Sequence, residues 1–283
     1  MILSTLTFLE RCWYYLNLGI IQGLTEFLPI SSTAHLKVLP ILLGWKDPGI
    51  SVIASLQLGS IIAVITYFRT DLFTISRGIS KALFHNRRND TSFKLALSIF
   101  VGTLPIVFMG MFIKIFWTGY ETSIVRSIPS IAFVSILMSL LMLLAEQLGK
   151  RSRTLDDIKI FDGLFIGLSQ SLALIPGVSR SGITITTALM TGWERQSAAK
   201  LTFLLGIPAI TLSGIVELKG AIGSFTFGEL IPLVLGICSS AIISFLSIDF
   251  LIKFLQKQRM MIFITYRFFF GILLLSWFYY PFQ

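Results

Sequence analysis

The sequence predicts an all-α, polytopic integral membrane protein with inverted-topology repeats and two re-entrant helix–loop–helix hairpins that meet near the bilayer midplane. Three observations predict this fold class: the composition, the spacing of the apolar stretches, and two similar polar motifs. Of the 283 residues, 54% are hydrophobic and only 13% are charged, and the mean hydropathy is +0.83. A water-soluble domain of this length needs a more polar surface, so the composition excludes that class.

Six apolar stretches are each near the ~20 residues that a helix needs to cross a bilayer. They lie at 52–68, 95–116, 128–148, 200–218, 230–252 and 260–280. Basic residues concentrate in the connections at 69–94, 150–159 and 253–259. By the positive-inside rule these connections are cytoplasmic, and those at 117–127 and 219–229 are external. The same rule accounts for the net charge of +9, so we expect the lipid bilayer and no nucleic acid as a partner.

Two further regions, at about 12–44 and 160–192, each contain an apolar run, a break with proline and hydroxyl residues, and a shorter apolar run. Neither half is long enough to cross, and broken backbone is tolerated at membrane depth only where protein or water satisfies it. We therefore expect two re-entrant hairpins. The charge pattern makes them enter from opposite faces, which predicts one membrane domain over 1–283 with repeats at about 1–148 and 150–283.

Each hairpin carries one polar motif at its break. Residues 22–35 read Gln-Gly-Leu-Thr-Glu-Phe-Leu-Pro-Ile-Ser-Ser-Thr-Ala-His, and residues 170–182 read Gln-Ser-Leu-Ala-Leu-Ile-Pro-Gly-Val-Ser-Arg-Ser-Gly. Aligned on the leading Gln, Ser31 matches Ser179. Hydroxyl caps predict helix starts after Pro29 or Ser31 and after Ser181, and the free N–H groups and positive dipole end of such starts bind anions. Arg180 adds a permanent cation whose fork fits phosphate, so the two motifs suit a phosphate-bearing lipid.

The first motif also carries candidate catalytic groups. Ser32 and His35 are three residues apart, on one face of a helix, which allows the imidazole to take the hydroxyl proton and activate a nucleophile. A variant with His35 as the nucleophile stays open. Gln22 and Glu26 share a face at i, i+4, where the carboxylate can orient His35 or bind a divalent cation together with phosphate oxygens. A second alternative also stays open, in which Arg180 is only a buried partner of Glu26.

Two other polar residues are weaker candidates for phosphate binding. Gln57 lies in the middle of an apolar stretch and can line a cavity or bond a neighbouring helix. Thr184 follows Arg180 by one helical turn, which is close enough to touch a bound anion.

The two motifs, with Pro-Gly-x-Ser-Arg-Ser-x-x-Thr at residues 176–184, resemble those of the undecaprenyl pyrophosphate phosphatase family. These are bacterial membrane enzymes associated with bacitracin resistance. The resemblance implies hydrolysis of undecaprenyl diphosphate to the monophosphate and phosphate, which recycles the lipid carrier for peptidoglycan precursors. It also implies a bacterial plasma (inner) membrane location, an active site facing the outer side, and dependence on a divalent cation such as Mg²⁺ or Ca²⁺.

Carried over by position, the resemblance assigns a role to each motif residue. Glu26 is then the essential carboxylate, His35 the essential imidazole, Ser32 the hydroxyl at the reacting phosphorus and Arg180 the phosphate clamp. The residues that hold phosphate oxygens are Ser31, Thr33, Ser179, Ser181 and Thr184, with Gln57 as a further candidate. The metal ligands are Glu26 and Gln22.

The sequence departs from the family pattern at two positions. Many relatives carry Glu where this chain has Gln22, so the predicted metal site has one carboxylate fewer. Ala34 stands where Gly is common. Neither change removes a group assigned to catalysis.

A transporter or flippase of an anionic polyprenyl-phosphate lipid is the alternative function, because inverted repeats with a site near the midplane are typical of transporters. Ser32 and His35 discriminate between the two functions, since binding needs anion donors but no nucleophile and base. The sequence leaves the oligomeric state open and is compatible with a homodimer.

Overall fold

The computed structural model describes residues 7–85, 89–221 and 227–279, and over these ranges the protein is helical, with a single isolated β-bridge between Arg153 and Trp193. This confirms the predicted all-α fold class. The α-helices of the described ranges are α1 (Phe8–Phe27), α2 (Ser32–Leu42), α3 (Gly49–Tyr67), α4 (Arg69–Phe84), α5 (Thr91–Phe116), α6 (Ile128–Leu148), α7 (Ile160–Ser171), α8 (Arg180–Met190), α9 (Arg195–Ala221), α10 (Leu230–Lys257) and α11 (Met261–Tyr279).

Six of these helices, α3, α5, α6, α9, α10 and α11, are long and apolar enough to cross a membrane. They coincide with the six predicted stretches, so the protein is multi-pass. Several helices extend a few residues past the predicted ends, and at α5 the reason is a polar cap. Helix α5 starts at Thr91 because the Asp90 carboxylate accepts a hydrogen bond of 2.8 Å from the Ser92 amide. The predicted connection at 219–229 falls partly outside the described residues.

The connection at 69–94, which the sequence predicts as a basic loop, contains the 16-residue helix α4; residues 86–88 of it lie outside the described ranges. The buried face of α4 consists of Ile75, Gly78 and Ala82, at the three- and four-residue spacing of an amphipathic helix. A Cβ on Gly78 would lie 2.9 Å from the Phe93 backbone nitrogen. The glycine therefore lets α4 lie directly against α5. The prediction of a loop was based on the basic residues and did not take this buried face into account.

Both predicted helix breaks are present. The first separates α1 from α2, and the second separates α7 and a short 3₁₀ turn (Leu172–Leu174) from α8. Each following helix is 11 residues long and starts after a serine with positive φ, 78° at Ser31 and 69° at Ser179. In both, the serine Oγ accepts a hydrogen bond from an amide three residues on. Because positive φ is uncommon for residues other than glycine, the same rare cap occurs at equivalent positions of both motifs.

Close helix contacts through glycine hold the first half of each broken region. Helix α1 lies along α10, and α7 lies along α5. A Cβ on Gly19 would lie 2.1 Å from the Gly236 carbonyl oxygen, and a Cβ on Gly102 would lie 2.4 Å from that of Gly163. Small residues of this kind allow membrane helices to approach at backbone distance. The first half of each broken region is therefore held against a neighbouring helix at backbone distance.

Replacing Gly102 with Ala is expected to separate α5 from α7 and to destabilise the protein by about 1–3 kcal/mol, the range for overpacking a core. Gly110, on the same helix, has no atom of the described residues within 4 Å of its would-be Cβ. Gly110→Ala is therefore the matched control, and it is expected to be stabilising by up to ~1 kcal/mol through helix propensity. Thermal unfolding in detergent measures both. Equal midpoints for the two variants would contradict the close α5–α7 contact.

Candidate active site

The two motifs meet at the carboxylate of Glu26, in the last turn of α1. Its side chain is 10% exposed. The Oε2 atom accepts hydrogen bonds from Ser32 Oγ at 2.8 Å and from Gln22 Nε2 at 3.2 Å. The Oε1 atom accepts one from Arg180 Nη2 at 3.4 Å. Four predicted site residues thus form one buried cluster, with three from the first motif and one from the second.

The guanidinium of Arg180 has spare donors. Arg180 is the first residue of α8, and its side chain is 10% exposed. Within the described part of the chain, its buried Nη1 and Nε atoms have no hydrogen-bond partner. Gly206 on α9 makes room for the group, since a Cβ there would lie 1.5 Å from Nη1. Pairing with Glu26 therefore occupies one of three nitrogens, and the other two remain able to bind an anion.

The imidazole of His35 is buried between α2 and α11. Its Nδ1 lies 2.8 Å from the Ser31 carbonyl oxygen, its Nε2 lies 2.6 Å from the Tyr266 hydroxyl, and its ring stacks on Phe270 at 4.5 Å. Because a carbonyl oxygen only accepts, Nδ1 donates, and in the neutral ring Nε2 then accepts from Tyr266. The sequence predicts His35 beside the Ser32 hydroxyl. Instead, both ring nitrogens have other partners and Ser32 donates to Glu26.

The predicted phosphate-binding serines of the second motif lie close to the first break. Ser179 Oγ is 3.2 Å from Ser181 Oγ, and Ser181 Oγ donates to the Leu28 carbonyl oxygen at 3.1 Å. Ser31 and Ser179 also cap α2 and α8. These hydroxyls therefore stabilise the broken backbone at the place where the sequence predicts that an anion binds.

Three other predicted phosphate ligands lie outside the cluster. Thr184 is buried and donates to the Arg180 carbonyl oxygen at 2.7 Å, within its own helix. Thr33 is exposed and Gln57 is half-buried. No hydrogen bond within the described ranges joins either of them to Glu26 or Arg180. The structure thus brings together Glu26, Ser32 and Arg180, but not all of the residues predicted to bind phosphate.

Several polar residues that the sequence reading missed adjoin the cluster. Gln22 Nε2 lies 3.4 Å from Ser60 Oγ, which in turn lies 3.3 Å from Ser240 Oγ and 2.9 Å from Ser244 Oγ. Serines in apolar helices give no signal beyond small-residue packing, so sequence alone could not select them. Sequence alone could not select Tyr266 either, because aromatic residues are common near the ends of membrane helices without having a role in a site.

The donor set around Glu26 limits how a metal could bind. Among the described residues no group of three or more His, Cys, Asp or Glu side chains could hold a metal ion. One carboxylate with the neighbouring Gln22 amide nevertheless fits a cation of the Mg²⁺ type, which uses one or two carboxylates and takes its other ligands from water and phosphate oxygens. The site therefore fits a cation that is held jointly by the protein and the substrate phosphate, rather than one held by protein ligands alone.

This fold and cluster define a class: a multi-pass helical membrane protein with a buried carboxylate–hydroxyl pair facing a guanidinium. Residues 15–273 match the family described as bacitracin resistance protein BacA, and the chain belongs to that family.

Two similar proteins carry the name of one activity. An undecaprenyl-diphosphatase of Prochlorococcus marinus is 66% identical over 279 residues, which cover 99% of this chain and 96% of that protein. An undecaprenyl-diphosphatase of a Synechococcus species is 56% identical over 269 residues, covering 95% of this chain and 94% of that protein. The similarity therefore extends over nearly the full length of each protein.

Proposed function

We propose that this protein hydrolyses undecaprenyl diphosphate to undecaprenyl phosphate and inorganic phosphate. This reaction recycles the lipid carrier of peptidoglycan synthesis, and the family to which the chain belongs is named for bacitracin resistance. The observation that carries the proposal is the single cluster in which Glu26 joins the Ser32 hydroxyl to the Arg180 guanidinium. The names of the similar proteins support hydrolysis and favour it over lipid transport.

The contacts support a two-step phosphoryl transfer. Ser32 Oγ attacks the terminal phosphorus and its proton passes to Glu26, the carboxylate at 2.8 Å. The bridging P–O bond breaks, and its electron pair leaves with undecaprenyl phosphate. Glu26 passes the proton from Ser32 to the departing undecaprenyl phosphate and is again a carboxylate. Water then attacks the phosphoserine, Glu26 accepts the proton of the water, and the same proton returns to the Ser32 oxygen as its bond to phosphorus breaks and inorganic phosphate is released. Arg180 stabilises the charge on the phosphoryl oxygens throughout, which is the main requirement of this chemistry.

His35 has a different role in this proposal from the one expected from spacing. With Nδ1 on the Ser31 carbonyl oxygen and Nε2 on Tyr266, the imidazole fixes the start of α2 and thereby the Ser32 hydroxyl. The variant with His35 as nucleophile requires the Tyr266 contact to break. Mapping a trapped phospho-enzyme separates the two, because label on His35 would exclude Ser32 as the nucleophile.

A divalent cation, Mg²⁺ or Ca²⁺, is part of the proposal. Glu26 and the Gln22 side-chain oxygen would hold it together with phosphate oxygens of the substrate. When bound, the cation supplies neutralisation of phosphate charge. Because Glu26 is the single carboxylate of the cluster, we expect weak cation binding without substrate.

The architecture in this proposal is an inverted repeat in the bacterial plasma membrane. Residues 1–148 and 150–283 each contribute a re-entrant hairpin to one membrane domain, and the site faces the outer side. Support comes from the matching serine caps and from the basic connections at 69–94 and 150–159, which by the positive-inside rule make the two regions enter from opposite faces. A homodimer stays a prediction.

The first test is phosphate release from undecaprenyl diphosphate by the purified protein in detergent, with and without Mg²⁺ or Ca²⁺. Ser32→Ala and Glu26→Gln should each lower kcat by at least ~100-fold, the usual scale for losing a nucleophile or its base. Thr74→Ala is the control, because Thr74 is exposed on α4, belongs to neither motif and donates to the Thr70 carbonyl oxygen of its own helix. No release by folded wild type under any cation would reject the phosphatase in favour of transport.

Gly206→Ala tests the placement of Arg180. A methyl group would displace Nη1, which lies 1.5 Å from the would-be Cβ, and should lower kcat/KM by ~10–100-fold, as a ~1 Å misplacement can. Ala favours a helix over Gly by ~1 kcal/mol, so unfolding is not the expected cause. The assay is phosphate release at varied substrate concentration, beside the thermal midpoint.

Gly214→Ala is the control on the same helix. Among the described residues its would-be Cβ meets only the Ile61 Cδ1 atom, at 2.9 Å, the far end of a flexible side chain outside the cluster. Equal kinetics for Gly206→Ala and Gly214→Ala would refute the proposed position of the guanidinium.

A further inference from the structure

Arg267 joins both helix breaks. It lies on α11, a helix able to cross the membrane, and its side chain is 0% exposed. Its Nη1 donates to the carbonyl oxygens of Pro29 and Val178, each at 3.1 Å, and its Nη2 donates to that of Gly177 at 2.5 Å. Pro29 belongs to the first break, whereas Gly177 and Val178 belong to the second. One side chain therefore fixes two turns that are far apart in sequence.

The contacts explain how a cation is tolerated at this depth. Among the described residues no carboxylate forms an ion pair with Arg267; Glu26 pairs with Arg180 instead. A charge inside a membrane protein is expensive and usually marks function. Broken helices leave carbonyl groups without intrahelical partners. The partial negative charge of three such oxygens compensates the guanidinium, and the guanidinium satisfies the oxygens.

Helix α11 connects these turns to the rest of the protein. Tyr266, the residue before Arg267, has its hydroxyl 2.6 Å from His35 Nε2. The Arg267 carbonyl oxygen accepts a hydrogen bond of 3.3 Å from Ser135 on α6. A Cβ on Gly182, in the first turn of α8, would lie 3.0 Å from Arg267 Nη1. The guanidinium is thus enclosed, with little freedom to shift.

We infer that Arg267 is a positioning residue that sets the separation between Ser32 and Arg180. Ser32 follows Pro29 by three residues and Arg180 follows Val178 by two, so movement of either turn moves a reacting group directly. Arg267 touches neither group and acts through the backbone. The inference rests on the proposed phosphatase function and assigns Arg267 no contact with the substrate.

The test compares Arg267→Met and Arg267→Lys with Arg195→Met in the full-length protein. Arg195 forms a partly buried ion pair with Glu146, which joins α9 to the end of α6 and includes neither break. Its replacement removes a stabilising cation elsewhere in the molecule. Two measurements are made on each variant: kcat and KM for phosphate release from undecaprenyl diphosphate, and hydrogen–deuterium exchange of the backbone in detergent.

Arg267→Met is expected to lower kcat by ~100-fold while KM changes by less than ~3-fold, because misplacement affects the reacting geometry more than lipid binding. Amides next to Pro29 and Val178 should exchange faster. Arg267→Lys should recover part of kcat, since an ammonium can bond one turn but lacks the fork that spans two. Arg195→Met should lower the thermal midpoint and leave both kcat and exchange at the breaks unchanged.

Two results would overturn the inference. One is a folded Arg267→Met or Arg267→Lys protein with wild-type kcat and wild-type exchange at the breaks. The other is an equal loss of kcat in Arg195→Met, which would reduce Arg267 to a general stabilising residue. Inactive wild type would instead reject the proposed function, and the exchange measurement would still decide whether Arg267 fixes the two turns.

Discussion

Every feature of the site depends on satisfying broken backbone inside an apolar protein. Where a helix ends at membrane depth, its free N–H and carbonyl groups need partners within the chain. Ser31 and Ser179 supply acceptors for the amides at the starts of α2 and α8. Arg267 and Ser181 supply donors for carbonyl groups of the breaks. Polar side chains are therefore concentrated at the two breaks, which is also where an anion would find donors.

The buried Glu26–Arg180 pair is better explained by a role in catalysis than by a contribution to the stability of the fold. Taking two charges out of water often outweighs their attraction, so a buried ion pair is weak support for a fold. This pair also leaves two Arg180 nitrogens without partners among the described residues. The caps at Ser31 and Ser179 have positive φ, and such backbone conformations cost about 1–3 kcal/mol each and tend to cluster at functional sites. Unused donors and strained caps at one place are features that selection for stability alone would remove.

The sequence predicts the parts of this site that depend on local pattern. The breaks follow from apolar runs too short to cross, and the contact of the first motif with Arg180 follows from two similar motifs in regions expected to meet. The partners of His35 could not be predicted in the same way. Helical spacing places Ser32 on its face, but Tyr266 is 231 residues away in sequence, and only packing determines which contact wins.

Arg267 and α4 show two other features that could not be predicted from sequence patterns. An arginine inside an apolar stretch is a signal in itself, but its meaning here lies in backbone carbonyl groups, which every residue carries and no motif marks. Helix α4 is hidden in the sequence because its charged residues dominate the composition, while its buried face has only small and aliphatic residues. In both cases the sequence does not show which backbone segment the side chain or helix contacts in the fold.

The same cluster can serve both as a stable resting arrangement and as a reactive one. Arg180 is held by Glu26 at 3.4 Å, a long contact for a charge-assisted bond. A diphosphate carries more negative charge than one carboxylate and meets two guanidinium nitrogens that have no partner among the described residues. As Arg180 turns toward it, Glu26 keeps the neutral donors Ser32 and Gln22. Its charge is then no longer shared with a cation of the protein, and it faces the hydroxyl whose proton it must accept. Under the proposed function, substrate binding separates Arg180, the phosphate clamp, from Glu26, the base. The two residues of one buried ion pair thus supply both groups that the reaction needs.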